Sequence, residues 1–280
     1  MDVTTIPGPD PYHEIGPLYD LEHASFRADV DLLVTIAQAV GDPILELGCG
    51  SGRILVPLAE AGFRVTGLDA SRPMLDRARE AIRSAGVADR VTLVEGDMRS
   101  ADRAPGGPFG LVIFSLNSLM HLTTPQDQRA ALEAAYRSLD PRGQLVIDTM
   151  NPSPDQLSHL QNGPHLEGSW TLPDGTSVDK WSHRRVSPAT QIIETVLWYD
   201  RVEPGGSLKR VRSAFALRYV HASELALMLE LSGFTEPMIY GSYELDPYTD
   251  ESDRILVTAE VTPSSGADVP IAADRRHGVG

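Results

Sequence analysis

The chain has 280 residues, 24 basic and 39 acidic side chains, and a formal net charge of -15. Its length allows one large domain or a domain with an insertion, and 41% hydrophobic with 22% charged residues is ordinary for a soluble globular protein. The acidity argues against a nucleic-acid footprint or docking on anionic lipid: the only lysines are Lys180 and Lys209, and the arginines are dispersed among acids.

Met1 to Asp20 carries neither an apolar run nor a basic start, so it does not read as a signal peptide. No stretch approaches the ~20 apolar residues of a membrane span. Residues 24–40 place Phe26, Val30, Leu33, Ile36 and Ala37 at helical spacing, and Gly41-Asp42-Pro43 ends that helix. A short apolar strand, Ile44 to Leu47, runs into the glycine-rich turn Gly48-Cys49-Gly50-Ser51-Gly52. A helix follows from about Arg53 to Ala61. The next strand, Arg64 to Leu68, ends on Asp69, and a helix starting near Pro73 closes at Gly86. Strand Val91 to Val94 precedes Glu95-Gly96-Asp97, and strand Leu111 to Phe114 precedes Ser115-Leu116-Asn117-Ser118. Helix Pro125 to Leu139 leads to strand Gln144 to Thr149. This alternation predicts a mostly parallel, doubly wound α/β sheet with a ligand site at the strand carboxyl ends.

The pattern breaks after Met150. Residues 166–220 read as strands, Val178 to His183, Gln191 to Asp200 and Lys209 to Tyr219, separated by Pro173-Asp174-Gly175 and Pro204-Gly205-Gly206. Helical spacing resumes over Ala222 to Ser232, and two final strands, Pro237 to Tyr243 and Arg254 to Val261, close the chain. The expected organisation is an N-terminal helical cap over 1–40, a core over 41–152 and 221–262, and a β-rich lid insertion over 153–220. A disordered tail is expected over 263–280. Cys49 is the only cysteine, so no internal disulfide forms and a reducing cytoplasm fits. The scattered histidines suggest no metal site.

A glycine turn between strand and helix can cradle an anion, but a dinucleotide fingerprint needs a third glycine where Arg53 stands. Glu46 at the strand end would repel a pyrophosphate and suits a ligand carrying ammonium and sulfonium charges. Asp69 ends the next strand, where an acid accepts both hydrogens of a ribose diol. Asp97 ends the third, within reach of an adenine amino group, with Met98 as an apolar contact for the ring. Each residue alone has a bland reading as a turn former or solvated acid; the weight lies in their consecutive strand-end register.

ELGCGSG at 46–52, GLDAS at 67–71 and EGDM at 95–98 resemble the ordered motifs of the class I S-adenosylmethionine-dependent methyltransferases. The resemblance covers residues 40–150, and residues 235–261 match the terminal hairpin more weakly. FSLNSLMHL at 114–122 is similar to the segment after strand four in glycine/sarcosine N-methyltransferases. Those enzymes and the amino-sugar N-methyltransferases also carry an N-terminal Tyr-bearing segment and a late β-rich insertion. The resemblance implies a Rossmann-like seven-stranded sheet with an antiparallel last strand and S-adenosyl-L-methionine as cofactor. It implies cofactor contacts from Glu46, Gly48, Gly50, Gly52, Asp69, Ala70, Asp97, Met98 and Ser115 or Leu116, with Tyr19 and Arg27 carried over from the cap. A small-molecule acceptor methylated on nitrogen or oxygen is the expected substrate, with no nucleic acid or membrane partner.

His121, just past the fourth strand, is the candidate base for an acceptor that must lose a proton, or it only packs. Tyr19 and Tyr12 line the mouth or belong to an ordinary cap. Asn117 orients an acceptor or caps its turn. Trp170, Trp181 and Trp198 form an aromatic wall or a small core. Arg212, Arg218 and the Arg184-Arg185 pair grip an anionic group or balance local acids on a solvated face. The prolines that mark amino-methylating DNA enzymes are missing after strand four, and Asn151-Pro152-Ser153-Pro154 follows the fifth strand instead. Competing functions are a cofactor binder without transfer activity, a protein or RNA methyltransferase, and a nicotinamide-dependent reductase, which Arg53 and Glu46 oppose. An insertion sheet with open edges allows a homo-oligomer.

Overall fold

Successive apolar residues in each short strand feed two different helical layers. In the computed structural model, which describes residues 10–261, the parallel strands are β1 (Ile44–Leu47), β2 (Val65–Asp69), β3 (Val91–Glu95), β4 (Phe109–Phe114) and β5 (Leu139–Met150). The antiparallel pair β10 (Phe234–Tyr240) and β11 (Arg254–Val261) extends the same sheet, with β11 antiparallel to β5. The order is β10-β11-β5-β4-β1-β2-β3. The last strand is therefore antiparallel, as the resemblance implies.

Ile44, Val65, Leu111, Ile113 and Val146 face one layer, built from α2 (Ala28–Val40), α3 (Leu55–Glu60) and α4 (Arg72–Ala85). Leu45, Leu47, Val112, Phe114 and Ile147 face the other, built from α5 (Pro125–Ser138) and α7 (Ala222–Leu231). Burial on both sides explains why these strands read as continuous apolar runs. Strand order reverses between β1 and β4, and an open α/β sheet leaves its ligand crevice at the carboxyl ends there.

The segment between β5 and α7 forms a separate four-stranded antiparallel sheet. Its strands are β6 (His165–Thr171), β7 (Ser177–Ser187), β8 (Ile192–Val202) and β9 (Leu208–Arg218). The first of these and the preceding α6 (Pro154–Leu160) have no counterpart among the expected elements. In β6 a register shift between Leu166 and Gly168 breaks the alternation that marks a strand. Also unforeseen is α1 (Gly16–His23), which buries only Gly16 and Leu18 and so has little periodic signal. The helix expected from residue 24 begins at Ala28.

Helix α1 packs on the inner face of the insertion sheet through Ile15 and Leu18 against Val178, Leu197 and Tyr199. An ion cluster ties the same surfaces. Lys180 Nζ lies 2.6 Å from Glu22 of α1 and 2.9 Å from Glu167 of β6. Arg184 also pairs with Glu167, whose carboxyl is held down to about 2 against its own desolvation by Lys180 and Arg184. Arg184 is thus consumed within the fold. Removing one partner of such a buried cluster leaves acids without a counter-charge. Lys180→Met is expected to lower the unfolding free energy by about 3 kcal/mol in urea titrations; a loss below about 1 kcal/mol would show that the cluster contributes no more than a surface pair.

Candidate active site

The site grows from the turn after β1. Gly48 has φ +79°, and a Cβ there would sit 2.7 Å from the Ser118 Cβ, so side chains are excluded by both backbone and space. Asp69, at the end of β2, holds the turn: its carboxylate accepts the Gly50 N–H at 2.7 Å and the Ser71 N–H at 2.7 Å. Ser71 caps α4 and its Oγ donates to Asp10 at 2.7 Å. The N-terminal strap is thereby drawn over the same corner. It is fixed again where Ser213 of β9 donates to the Pro11 carbonyl at 2.6 Å.

These elements enclose a cavity of about 280 Å³. Of the sequence-predicted residues, Tyr12, Tyr19, Glu46, Gly48, Gly50, Asp69, Ala70, Asp97, Met98, Ser115, Leu116 and His121 all line it. Gly52 does not; it packs against Ala78 of α4 and allows the turn to approach that helix. Arg27 does not either: it faces solvent and pairs with Asp31 one helical turn away. The arginine in the cavity wall is Arg53, bonded through both terminal nitrogens to buried Asp29, with its guanidinium 5.7 Å from the Phe26 ring centroid. Asp10 and Ser71 are further lining residues that the sequence reading does not single out. The glycine turn followed by Arg53 was the available signal for that arginine.

Electrostatics around the cavity are set by desolvation. Glu46 is 1% exposed; Ser115 Oγ donates to its Oε1 at 2.8 Å, while Oε2 has no partner among the described residues. Burial pushes its carboxyl up to about 8, only partly offset by Ser115 and Arg53. Asp69 is raised by burial, against the pull of its backbone donors. Asp97 is lowered by its hydrogen bonds from Arg99, which also bridges to Asp127 at 2.6 Å. Cys49 is buried beside the glycines and its thiol is pushed up by desolvation, consistent with a packing role.

In the cavity wall formed with the N-terminal strap, Tyr12 Oη and His121 Nε2 lie 3.0 Å apart. Phe215 of β9 stacks on Tyr12 with centroids 6.1 Å apart and tilts against His121 at 5.8 Å. Burial lowers His121 to about 4 and raises Tyr12 and Tyr19, the latter to about 12. Pro11 and His121 also line a wide groove between the start of α5 and the hairpin joining β7 to β8. Asn117 sits at φ +67° and locks the loop before His121. Its N–H donates to the Asp148 carbonyl at 2.9 Å and its Oδ1 accepts the Met150 N–H at 2.7 Å. It caps the loop and does not line the cavity.

The insertion's aromatic and basic residues are placed elsewhere. Trp170 joins the small core under the insertion sheet, while Trp181 and Trp198 stack on its opposite face. None lines the cavity. Arg218 is 3% exposed and bound to Gln128, Gln191 and Glu224, so it does not belong to a solvated face. Arg185 is exposed and pairs with Glu194.

A methyltransferase-domain family model matches residues 44–143. The cypemycin N-terminal methyltransferase of a Streptomyces species is 31% identical over 79% of this chain and 83% of its own. The chain belongs to the S-adenosylmethionine-dependent methyltransferases. Among solved structures, the CcbJ methyltransferase of Streptomyces caelestis shares the fold with a TM-score of 0.72 and 24% identity, over 93% of this chain and 99% of that one. CalS10, an amino pentose methyltransferase of Micromonospora echinaspora solved with bound S-adenosylmethionine, does so with a TM-score of 0.69 and 20% identity, over 88% and 97%. The methyltransferase thus uses S-adenosyl-L-methionine, and an orphaned buried carboxylate oxygen beside a glycine cradle fits a ligand bearing an ammonium group. No helix among the described residues is long and apolar enough to cross a membrane, and no cluster of three or more His, Cys, Asp or Glu there suits a metal.

Glu46 also controls ligand-free stability. Its native form binds a proton more tightly than the unfolded chain does, so stability falls as pH rises from about 4.3 to about 8, by at most ~1.4 kcal/mol per unit. Glu46→Gln is expected to flatten that slope and unfold at higher temperature than the parent at pH 8. Identical thermal profiles across pH 5 to 8 (roughly the window set by these pKa values) would overturn the assignment.

Proposed function

We propose that the methyltransferase transfers a methyl group to a nitrogen or oxygen of a small-molecule metabolite, with an amine as the favoured acceptor. The observation that carries this reading is the half-buried Tyr12–His121 pair at the seam between the cavity and the wider groove. Bound in the cavity, the cofactor supplies a methyl group on a positively charged sulfur that leaves as a neutral thioether. Glu46 offers its orphaned oxygen to the cofactor's ammonium, Asp69 its remaining lone pairs to the ribose, and Asp97 with Met98 the adenine site. Tyr19 closes the wall, and Arg53 replaces Arg27 as the cation available to the cofactor carboxylate.

An amine reacts through its lone pair, so its ammonium form is inert. Burial acts on both partners at the seam: it keeps His121 neutral and disfavours a charged ammonium beside it. The lone pair forms the new N–CH3 bond as the S–CH3 bond breaks, and the resulting ammonium gives its proton to Nδ1 of neutral His121, whose Nε2–H donates to Tyr12 Oη and fixes the ring. Alignment and exclusion of water supply most of the remaining acceleration. A pure cofactor binder has no use for a neutral base at this seam. The names of the relatives, one an N-terminal methyltransferase and one an amino pentose methyltransferase, support nitrogen over oxygen. The acidic surface disfavours a nucleic-acid substrate.

The test is incubation with methyl-labelled cofactor and a panel of amino sugars, amino-acid amides and aliphatic amines. Label transfer to one class is expected, with His121→Ala slower by about a hundredfold. In the parent, kcat/KM should show no ionisation of His121 near its ordinary value of about 6.5. Unchanged turnover and pH profile in His121→Ala would remove the base, and absence of labelled product from every pool would favour the binder. Glu46→Gln is expected to weaken S-adenosylhomocysteine binding at least tenfold by calorimetry, the ~1.4 kcal/mol of one charge-assisted hydrogen bond.

A further inference from the structure

A polar cluster outside the cavity marks the place where the insertion rejoins the core. Arg218, the last residue of β9, is 3% exposed, and Gln128 of α5 is fully buried. One terminal nitrogen of the guanidinium donates to Gln128 Oε1 at 2.6 Å. The other donates to Gln191 Oε1 at 2.7 Å and to Glu224 Oε1 of α7 at 2.6 Å. Gln191 sits at φ +57° where the hairpin enters β8, and its Nε2 donates to Glu224 Oε2 at 2.6 Å. Gln128 Nε2 donates back to the Arg218 carbonyl at 3.0 Å. Arg218 Nε is buried without a partner among the described residues, so the fork is held by its two ends.

Such a cluster is weak evidence for stabilisation, because apolar residues of similar volume in place of a buried ion pair often cost nothing. What a planar fork supplies is geometry, since its donors point in fixed directions. Here it ties three backbones together, and two of them are the walls of the groove beside the cavity. Pro125 and Gln126, in the first turn of the helix that carries Gln128, line one wall, and the hairpin from Ser187 to Gln191 lines the other. The same junction seats His121. Gln128 Nε2 also donates to the Leu119 carbonyl at 3.4 Å, and Met120 packs with Val186 and Ile193 of the hairpin strands and with Tyr219. The two residues before His121 are thus gripped, one by the helix and one by the insertion. We propose that Arg218 is a positioning residue for methyl transfer: its fork staples the β7–β8 hairpin to α5, which sets the width of the acceptor groove and seats the turn that carries His121. The role in the groove rests on the amine reading given above; the role at His121 does not.

Arg218→Lys keeps the charge facing Glu224 and loses the fork, because one ammonium cannot serve Gln128, Gln191 and Glu224 in their separate directions. A pH titration by NMR of protein labelled in its histidines reads the seating, with the His121 signal assigned by its loss in His121→Ala. Burial alone sets the low value of that ring, about 4, and Tyr12 is the titratable side chain bonded to it. A loosened turn should raise the midpoint by at least ~1 pH unit toward the ordinary histidine value. For an amine that the parent methylates, KM should rise about tenfold, while S-adenosylhomocysteine binds with parental affinity by calorimetry. A lower melting temperature with the parental midpoint and KM would make the cluster purely structural and overturn the proposal. If the parent methylates no amine, the amine reading fails and the titration still decides Arg218. If Arg218→Lys does not bind S-adenosylhomocysteine, Gln191→Asn, which shortens only the hairpin arm and tolerates a positive φ, decides by the same readouts.

Discussion

Two backbone N–H groups, those of Gly50 and Ser71, converge on the carboxylate of Asp69, and the shape of the cavity depends on that convergence. One donor belongs to the turn after β1 and the other to the start of α4. A single acid therefore sets the spacing between two consecutive strand–helix units. The glycine turn cannot be held by its own side chains, since Gly48 and Gly50 have none and Cys49 points into the packed layer beneath. Ser71 passes the constraint on through its hydroxyl to Asp10. The N-terminal strap, and with it Tyr12, is thereby positioned from the same carboxylate. The half-buried aromatic seam with His121 is the far end of a chain of hydrogen bonds that starts at a strand end.

Three acidic sites lie close to this corner, and the protein handles each differently. Asp29 is neutralised by Arg53, and Asp148 by Arg254 with a further hydrogen bond from Tyr243 at 2.8 Å. Glu46 has only a hydroxyl and a distant guanidinium. A buried carboxylate without a paired cation takes up a proton to escape the cost of charge in a low dielectric. Glu46 is therefore the acid whose ionisation is still open when a ligand arrives.

Legibility of the sequence divides along the range of the interactions involved. Glu46, Asp69 and Asp97 are visible because each closes a strand whose start and end are marked within about ten residues. These acids and the glycine turn share one cavity for that reason, whereas Tyr19, Ser115 and Leu116 were expected there from the family resemblance. The choice between Arg27 and Arg53 is not local. It depends on Asp29 turning from the first turn of α2 toward the glycine loop, a contact between residues 24 positions apart. Tyr12 meets His121 across 109 positions, and no periodicity encodes that meeting. In the insertion, β7 to β9 alternate strictly and can be read, whereas β6 carries a bulge at its ion cluster and cannot. The same cluster explains Arg184: a basic pair in sequence splits by strand parity, one side chain inward to Glu167 and one outward to Glu194.

The overall acidity and the burial of Glu46 act together on a cationic ligand. Surface acids draw a cation toward the molecule over a Debye length but contribute little once it is bound, because water and salt screen them. Glu46 contributes nothing at a distance while it is protonated, and its attraction appears only when the cation displaces the proton inside the cavity. On the proposed reading, association therefore depends on the distributed charge and on ionic strength, whereas affinity depends on one buried proton and on pH. On the same reading an acceptor amine experiences the opposite balance. The aromatic seam of Tyr12, His121 and Phe215 offers it no counter-charge, so the methyl acceptor is drawn in neutral and reactive while the methyl donor is held as a cation a few residues away. One desolvated cavity can serve both on this reading because its most deeply buried acid takes up charge only when a cation arrives, whereas its histidine is held neutral.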